Sequence, residues 1–277
     1  MKLSIITINY NNAAGLQKTI QSVCNQTSQE FEYFVIDGGS TDDSTDVIKN
    51  YELKINNFRW ISEKDNGIYH AMNKGIKMAQ GEYVQFVNSG DCLASDDVTE
   101  KMITELNANV SILYGNMLKL QPHGILRDKC FAGRKPTMLD FYRGTLNHSS
   151  AYIKRSLFDK YGLYDETLKI VSDWKFYVQA IIFGKENLLY QNIDVTLFDM
   201  TGISETNKDL DRTERLQVLQ ELLPERILQD YQAWSFPISQ MQRVKRYWWA
   251  ERLCYFMERC LFKLDKRRIK RKREVVY

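Results

Sequence analysis

Four polar clusters, each at the end of an apolar run, hold most of the residue types that could do chemistry. They are Asn9-Tyr10-Asn11-Asn12, Asp37-Gly38-Gly39-Ser40, Glu63-Lys64-Asp65 and Ser89-Gly90-Asp91. One such cluster would be a turn, because Asp and Gly are common turn residues. Four in succession predict a polar, metal-assisted pocket, since carboxylates and amides are natural partners of hard cations and of the phosphates they carry. Competing chemistries lack their residues. No GxGxxG follows the first apolar run, and no GxxxxGK[ST], HExxH or GxSxG occurs anywhere. His70, His123 and His148 form no pair at metal-ligand spacing, and the five cysteines contain no CxxC. Nucleotide-sugar chemistry is the best remaining use of this acidic edge.

The elements that must position these clusters follow from periodicity. β-Branched and aromatic runs at residues 3–8, 31–36, 58–62 and 83–87 predict four buried strands. Between them, Leu16, Ile20 and Val23 predict a helix after Asn12. A second helix is expected from a cap at Ser40 or Thr41, carrying Val47, Ile48 and Tyr51. A third carries Ile68, Met72, Ile76 and Ala79 and stops at Gly81. Alternation of this kind predicts an α/β fold with a doubly wound, mostly parallel sheet, which binds ligands beyond the carboxyl ends of its strands. After residue 93 the rhythm loosens. Strands are expected at 111–114, 150–153, 188–190 and 194–198, and helices at 138–142, 155–161 and 173–183, the last capped by Ser172. No internal repeat is evident.

Length and composition agree with an ordinary folded protein. A chain of 277 residues buries a large core without staples, and 44% hydrophobic with 26% charged residues excludes wholesale disorder. Odd, scattered cysteines argue against disulfides and for a reducing compartment. The apolar start at 3–8 is too short for a signal peptide, and no run of 18 apolar residues occurs, so a cytoplasmic protein without a transmembrane helix is expected. The sequons at Asn25 and Asn147 then carry no meaning. Net charge is +3, but thirteen Lys or Arg lie from Arg243 onward, against Glu251, Glu258, Asp265 and Glu274. The body is therefore acidic and the tail strongly basic.

These segments resemble glycosyltransferase family 2. The resemblance rests on residues 3–11, 35–42 (Val35-Ile36-Asp37-Gly38-Gly39-Ser40-Thr41-Asp42), 65–75 (Asp65 to Gly75) and Phe86-Val87-Asn88-Ser89-Gly90-Asp91, which resembles the DXD segment. Asn147-His148-Ser149-Ser150, Tyr164-Asp165-Glu166, Ser172-Asp173-Trp174 and Met200-Thr201-Gly202-Ile203-Ser204 extend it to residue 204. It implies the GT-A fold, a nucleoside-diphosphate sugar (uridine by preference), a divalent metal (Mn²⁺ or Mg²⁺) and inversion at the anomeric carbon. It implies a donor half at 1–92, an acceptor half at 93–204 and a helical extension at 205–277.

By that resemblance Thr7, Asn9, Tyr10, Asp37, Asp65, Gly67, Asn73, Ser89 and Gly90 bind the donor, with Asp37 on the base. Read locally, Asp37 could equally cap its Gly-Gly turn and Asp65 a helix. Met72 stands where the family often has Arg. Asp91 is the metal carboxylate. Asp173 is the general base, kept charged by its place at a helix start. His148 could ligate the metal, contact a phosphate or bond locally. Trp174 could stack on the acceptor or pack in the core. The basic tail interleaves Tyr247, Trp248, Tyr255 and Phe262 with cations. That suits a helix on an anionic membrane, a helix packed on the catalytic domain, or a homodimer contact, and it argues against nucleic acid because the body is acidic. The expected function is inverting transfer of one sugar, in bacterial surface-polysaccharide assembly, to a glycan or lipid-linked acceptor. A sugar-nucleotide pyrophosphorylase and a non-catalytic carbohydrate-binding protein are the rivals.

Overall fold

A computed structural model describes residues 1–121, 124–202 and 206–273, with side chains through Lys266. Two compact units divide the chain, Met1–Glu221 and Leu222–Tyr277.

In the first unit, β1 (Leu3–Asn9), β2 (Phe31–Asp37), β3 (Phe58–Ser62) and β4 (Tyr83–Phe86) alternate with α1 (Ala13–Cys24), α2 (Ser44–Tyr51) and α3 (Ile68–Met78). β1 pairs in parallel with β2 and β4, and β2 with β3. Every residue of β1, β2 and β4 is buried, as helices on both faces of a parallel sheet require. Gly75 lets α3 close on that sheet, because a Cβ there would stand 2.5 Å from Cγ2 of Ile6. The unit continues through β5 (Cys92–Leu93), α4 (Val98–Glu105), β6 (Ile112–Gln121), β7 (Gly124–Asp128), α5 (Met138–Arg143) and β8 (Ala151–Lys154). It ends with α6 (Ser156–Tyr161), α7 (Ser172–Tyr177), β9 (Leu188–Phe198) and α8 (Lys208–Leu222). The strands form one sheet in the order β3-β2-β1-β4-β8-β6-β9-β5, with β7 paired to β6. β8 runs antiparallel to both β4 and β6, so the sheet is mixed beyond β4 where β1–β4 are parallel.

Several boundaries depart from the sequence expectation for physical reasons. α2 starts at Ser44, not after Ser40, because the Asp42 carboxylate takes both the amide and the hydroxyl of Ser44. The two late strands are one, β9, since register shifts against β6 absorb the polar residues between them. Ser172 does not cap α7: it is the first helical residue, and its Oγ accepts the N–H of Asp165 at 2.5 Å. Beyond Tyr177 the helix widens into a π-turn over Val178–Phe183 before Gly184 ends it. β5, α4 and β7 had too little periodicity to be anticipated.

The second unit contains α9 (Glu225–Val244), with Pro237 in its interior, and α10 (Trp248–Arg273). The expected boundary at 204/205 and the Ile203-Ser204 part of the last motif lie outside the described residues. α8 belongs with the first unit.

Candidate active site

The sheet itself aligns the polar ends of the strands. Asn9 is paired with Asp37, and Asp37 with Ser62. Asp37 is fully buried and lies beneath the cavity, not on its wall. Its carboxylate accepts from Asn9 Nδ2 at 2.8 Å, Ser40 N at 3.0 Å, Ser40 Oγ and Ser62 Oγ at 2.6 Å. Burial alone would raise its pKa, but the Ser40, Ser62 and Asn9 donors outweigh that and hold it below the ordinary carboxylate range. Asp37 thus fixes the Gly38-Gly39 turn, whose backbone does line the cavity.

Thr7 and Asn73 are also bracing groups away from the wall. Thr7 Oγ1 donates to Val87 O at 2.6 Å. Asn73 donates to Tyr164 O at 2.9 Å and Glu166 Oε1 at 2.8 Å, and accepts from Tyr164 N at 3.0 Å. Gly90 sits at φ 107° with its amide on Thr19 Oγ1, so it shapes the loop without lining the cavity.

Above this base opens a cavity of about 1360 Å³. Asn9, Tyr10, Gly38, Gly39, Asp65 and Gly67 line one part of its wall, together with Met72. Asp65 Oδ1 accepts from His70 Nδ1 at 2.9 Å and Lys74 Nζ at 2.6 Å, and Lys74 also reaches Glu63 at 2.7 Å. Asp65 Oδ2 and Asn9 Oδ1 are buried without a protein partner. Both belong to residues that line the cavity, and an acceptor left unpaired in this way calls for a partner.

Asn88, Ser89, Asp91, His148 and Asp173 line the middle. Asp91 is buried, with Oδ1 accepting the Asp199 amide at 2.8 Å. Burial pushes its carboxyl up to about 7, and the neighbouring Asp199 charge adds to the rise. The Tyr69 hydroxyl shares its one proton between Ile170 O at 2.5 Å and Asp173 Oδ1 at 2.9 Å, and Asp173 Oδ2 lies 3.5 Å from His148 Nδ1. Burial opposes the charged form of Asp173, yet the His148 hydrogen bond and charge, the Tyr69 hydroxyl and the Trp174 amide win and lower its pKa. The same pairing raises His148 despite its burial. His148 Nε2 is 3.2 Å from Asn88 Nδ2. Nδ1 thus faces the Asp173 carboxylate and Nε2 the Asn88 amide. Among the described residues no group of three His, Cys, Asp or Glu side chains converges as a ready-made metal site.

The wall contributed by residues beyond 93 carries charge pairs. Lys119 lies 3.3 Å from Asp128, Arg134 2.6 Å from Asp140, and Arg215 3.0 Å from Asp211. Trp174 is 1% exposed, donates to Phe141 O at 2.9 Å, and has the Arg215 guanidinium 4.7 Å above its ring. Trp174 also lines the cavity, with one face of its ring covered by Arg215.

The model of glycosyl transferase family 2 matches residues 4–161. The chain belongs to that family. Among its relatives, an uncharacterised glycosyltransferase of Mycobacterium tuberculosis is 34% identical over 73% of this chain and 76% of its own length. A mycobacterial PGL/p-HBAD biosynthesis glycosyltransferase, from Mycobacterium bovis, is 26% identical over 77% of this chain and 83% of its own. Among solved structures, Staphylococcus aureus TarS 1-349 in complex with UDP-GlcNAc superposes with TM-score 0.64 at 20% identity, over 83% of this chain and 70% of that one. Mannosyltransferase PcManGT from Pyrobaculum calidifontis, in complex with GDP-Man and Mn²⁺, gives TM-score 0.63 at 15% identity, over 79% and 63%. These likenesses establish the GT-A fold.

In this family 2 glycosyltransferase, sequence reasoning missed two residues that the fold brings to the centre. Tyr69 was read only as part of a motif, and Asp199 not at all. Asp199 follows β9 directly, one residue before the Met200-Thr201-Gly202 segment. A strand-end acid beside a family motif was the available signal.

Proposed function

We propose that this glycosyltransferase moves a sugar from a nucleoside-diphosphate donor, by preference a UDP-sugar, to a hydroxyl of a glycan or lipid-linked acceptor. Transfer inverts the anomeric carbon and serves surface-polysaccharide assembly. The observation that carries this reading is one cavity lined by Asp65 and Gly67 from the donor half, Asp91 at its centre and Asp173 from the acceptor half. Residues 1–92 supply the donor wall and 93–204 the acceptor wall.

The free acceptor oxygens of Asp65 and Asn9 suit a base edge or ribose hydroxyl that donates hydrogen bonds, and the Gly38-Gly39 backbone lets the nucleotide approach closely. Tyr10, 67% exposed at the rim, is available to cover a base. Ser89 and the Gly90 turn carry Asp91 to the diphosphate.

A divalent cation, Mn²⁺ or Mg²⁺, fits beside Asp91. A buried carboxyl pushed up to about 7, next to the Asp199 carboxylate, is a site short of positive charge. Asp91 and Asp199 would hold the ion together with donor phosphate oxygens. Bound there, it would supply charge neutralisation for the leaving diphosphate.

Asp173 is charged at neutral pH and accepts the acceptor hydroxyl proton as that oxygen bonds the anomeric carbon. The bond from that carbon to the donor phosphate breaks, and its electron pair leaves with the nucleoside diphosphate. Tyr69 and His148 hold the carboxylate in place, so His148 acts through Asp173. Replacing Asp173 by Asn keeps the shape and removes the base. Transfer should fall by roughly 10²-fold or more while the nucleotide still raises the melting temperature. Near-wild-type turnover in that variant would reject the assignment. A carbohydrate-binding protein without catalysis would bind glycan but release no nucleotide.

A further inference from the structure

We propose that α10 docks on the surface of an anionic lipid bilayer, with its apolar face inserted and its cations at the lipid phosphates. Trp249, Leu253, Phe256, Met257, Leu261 and Leu264 recur at intervals of three and four, the spacing of one helix face. Each is more than half exposed, from 51% at Leu253 to 64% at Phe256. A separate lane repeats every seven residues. Trp248, Tyr255 and Phe262 are each followed four residues later by a cation stacked on the ring, with Arg252 at 5.6 Å, Arg259 at 6.0 Å and Lys266 at 4.8 Å. The chain thus has a heptad repeat, WWAERLC-YFMERCL-FKLDKRR, that its composition concealed.

Charge selects the occupant. Seven of the eight residues from Lys266 to Arg273 are Lys or Arg, so the helix ends in a dense positive block. A bilayer containing acidic lipids is complementary to that block, while the Trp248, Tyr255 and Phe262 lane lies on the opposite side of the helix from the inserted face. A second copy of the chain fits less well. A two-helix seam needs one narrow stripe sustained over several heptads, whereas this face is broad and gives way to Arg267 and Arg268 in the third heptad. Parallel pairing would also set one basic block against another. No described helix is long and apolar enough to cross a membrane, so α10 lies along the surface, about 39 Å for its 26 residues.

The test is flotation of the full chain with vesicles of phosphatidylcholine alone and of phosphatidylcholine mixed with phosphatidylglycerol, at low and high salt. The expected result is binding to the mixed vesicles only, weakened by salt. Replacing Arg252, Arg259, Lys263 and Lys266 together by Gln should lower binding by about fivefold per charge. W249S/F256S should lower it at least about tenfold, with the melting temperature and nucleotide release unchanged. Equal flotation with both vesicles, or none, would overturn the proposal. So would W249S/F256S converting a dimer to a monomer while flotation stays the same, because the face would then cover a second copy. Wild-type flotation and its salt dependence decide the matter even if a variant misfolds. Docking is independent of the transfer chemistry, and a chain that transfers sugar but never floats disproves docking alone.

Discussion

At the scale of single residues, the centre of the site is a contest between burial and hydrogen bonding, and it ends differently at two carboxylates. Asp173 has enough donors to stay charged, while Asp91 has one backbone amide and a neighbouring acid. Removing the Tyr69 hydroxyl takes away one donor to the Asp173 carboxylate. The pKa of Asp173 then rises, and because the base must be charged, the acid limb of kcat/KM moves to higher pH in Tyr69→Phe. The neutral-pH rate should fall about fivefold, the worth of roughly 1 kcal/mol. A limb that stays in place would leave Tyr69 a packing residue. Asp91 makes the opposite prediction. Its folded-state pKa lies above its unfolded value, so the carboxyl costs nothing below pH 4 and destabilises increasingly as pH rises through about 7. Metal-free Asp91→Asn should therefore be more stable than wild type at pH 8, by up to roughly 4 kcal/mol. The difference should vanish in acid, and Mn²⁺ should stabilise only the wild type. Urea denaturation at the two pH values reads all of this.

At the scale of elements, Asp173, the proposed base, stands on a helix that a distant helix holds in register. The Glu214 carboxylate of α8 accepts the amides of Lys169 at 2.7 Å, Ile170 at 2.9 Å and Val171 at 3.3 Å, immediately before α7 begins. Glu214 is 6% exposed, and Val218 and Leu219 of the same helix are buried. Truncation to Glu214→Ala leaves three amides short of their acceptor and should cost about 3 kcal/mol. Because Asp173 lies two residues past Val171, kcat should fall more than the donor KM rises. A loss of stability with intact kcat would confine Glu214 to a structural role.

At the scale of the whole molecule, β8 runs antiparallel between β4 and β6 and joins the parallel part of the sheet to the mixed part, and the cavity is lined from both parts. The cavity between them is part of the native state alone. A nucleoside diphosphate that binds it should raise the melting temperature in proportion to RT ln(1 + [L]/Kd), about 2.7 kcal/mol at a hundredfold excess over Kd. UDP with Mn²⁺ should give a larger shift than UDP alone, and more than CDP or GDP. A panel with no nucleotide shift would remove the donor site.

The residues alone determined the strand–helix alternation, the acid at each strand end, the family and the basic tail, because each is written in local periodicity and turn chemistry. Asp37 and Asp65 look equivalent in that language. The fold separated them: pairing with Asn9 and Ser62 drew Asp37 off the cavity wall, while Asp65 lines the cavity and keeps one oxygen unpaired. Contacts such as Tyr69 with Asp173 and Asp199 with Asp91 join residues more than a hundred positions apart. No local pattern encodes such partners. Sheet register and loop packing chose them, and with them which carboxyl stays charged.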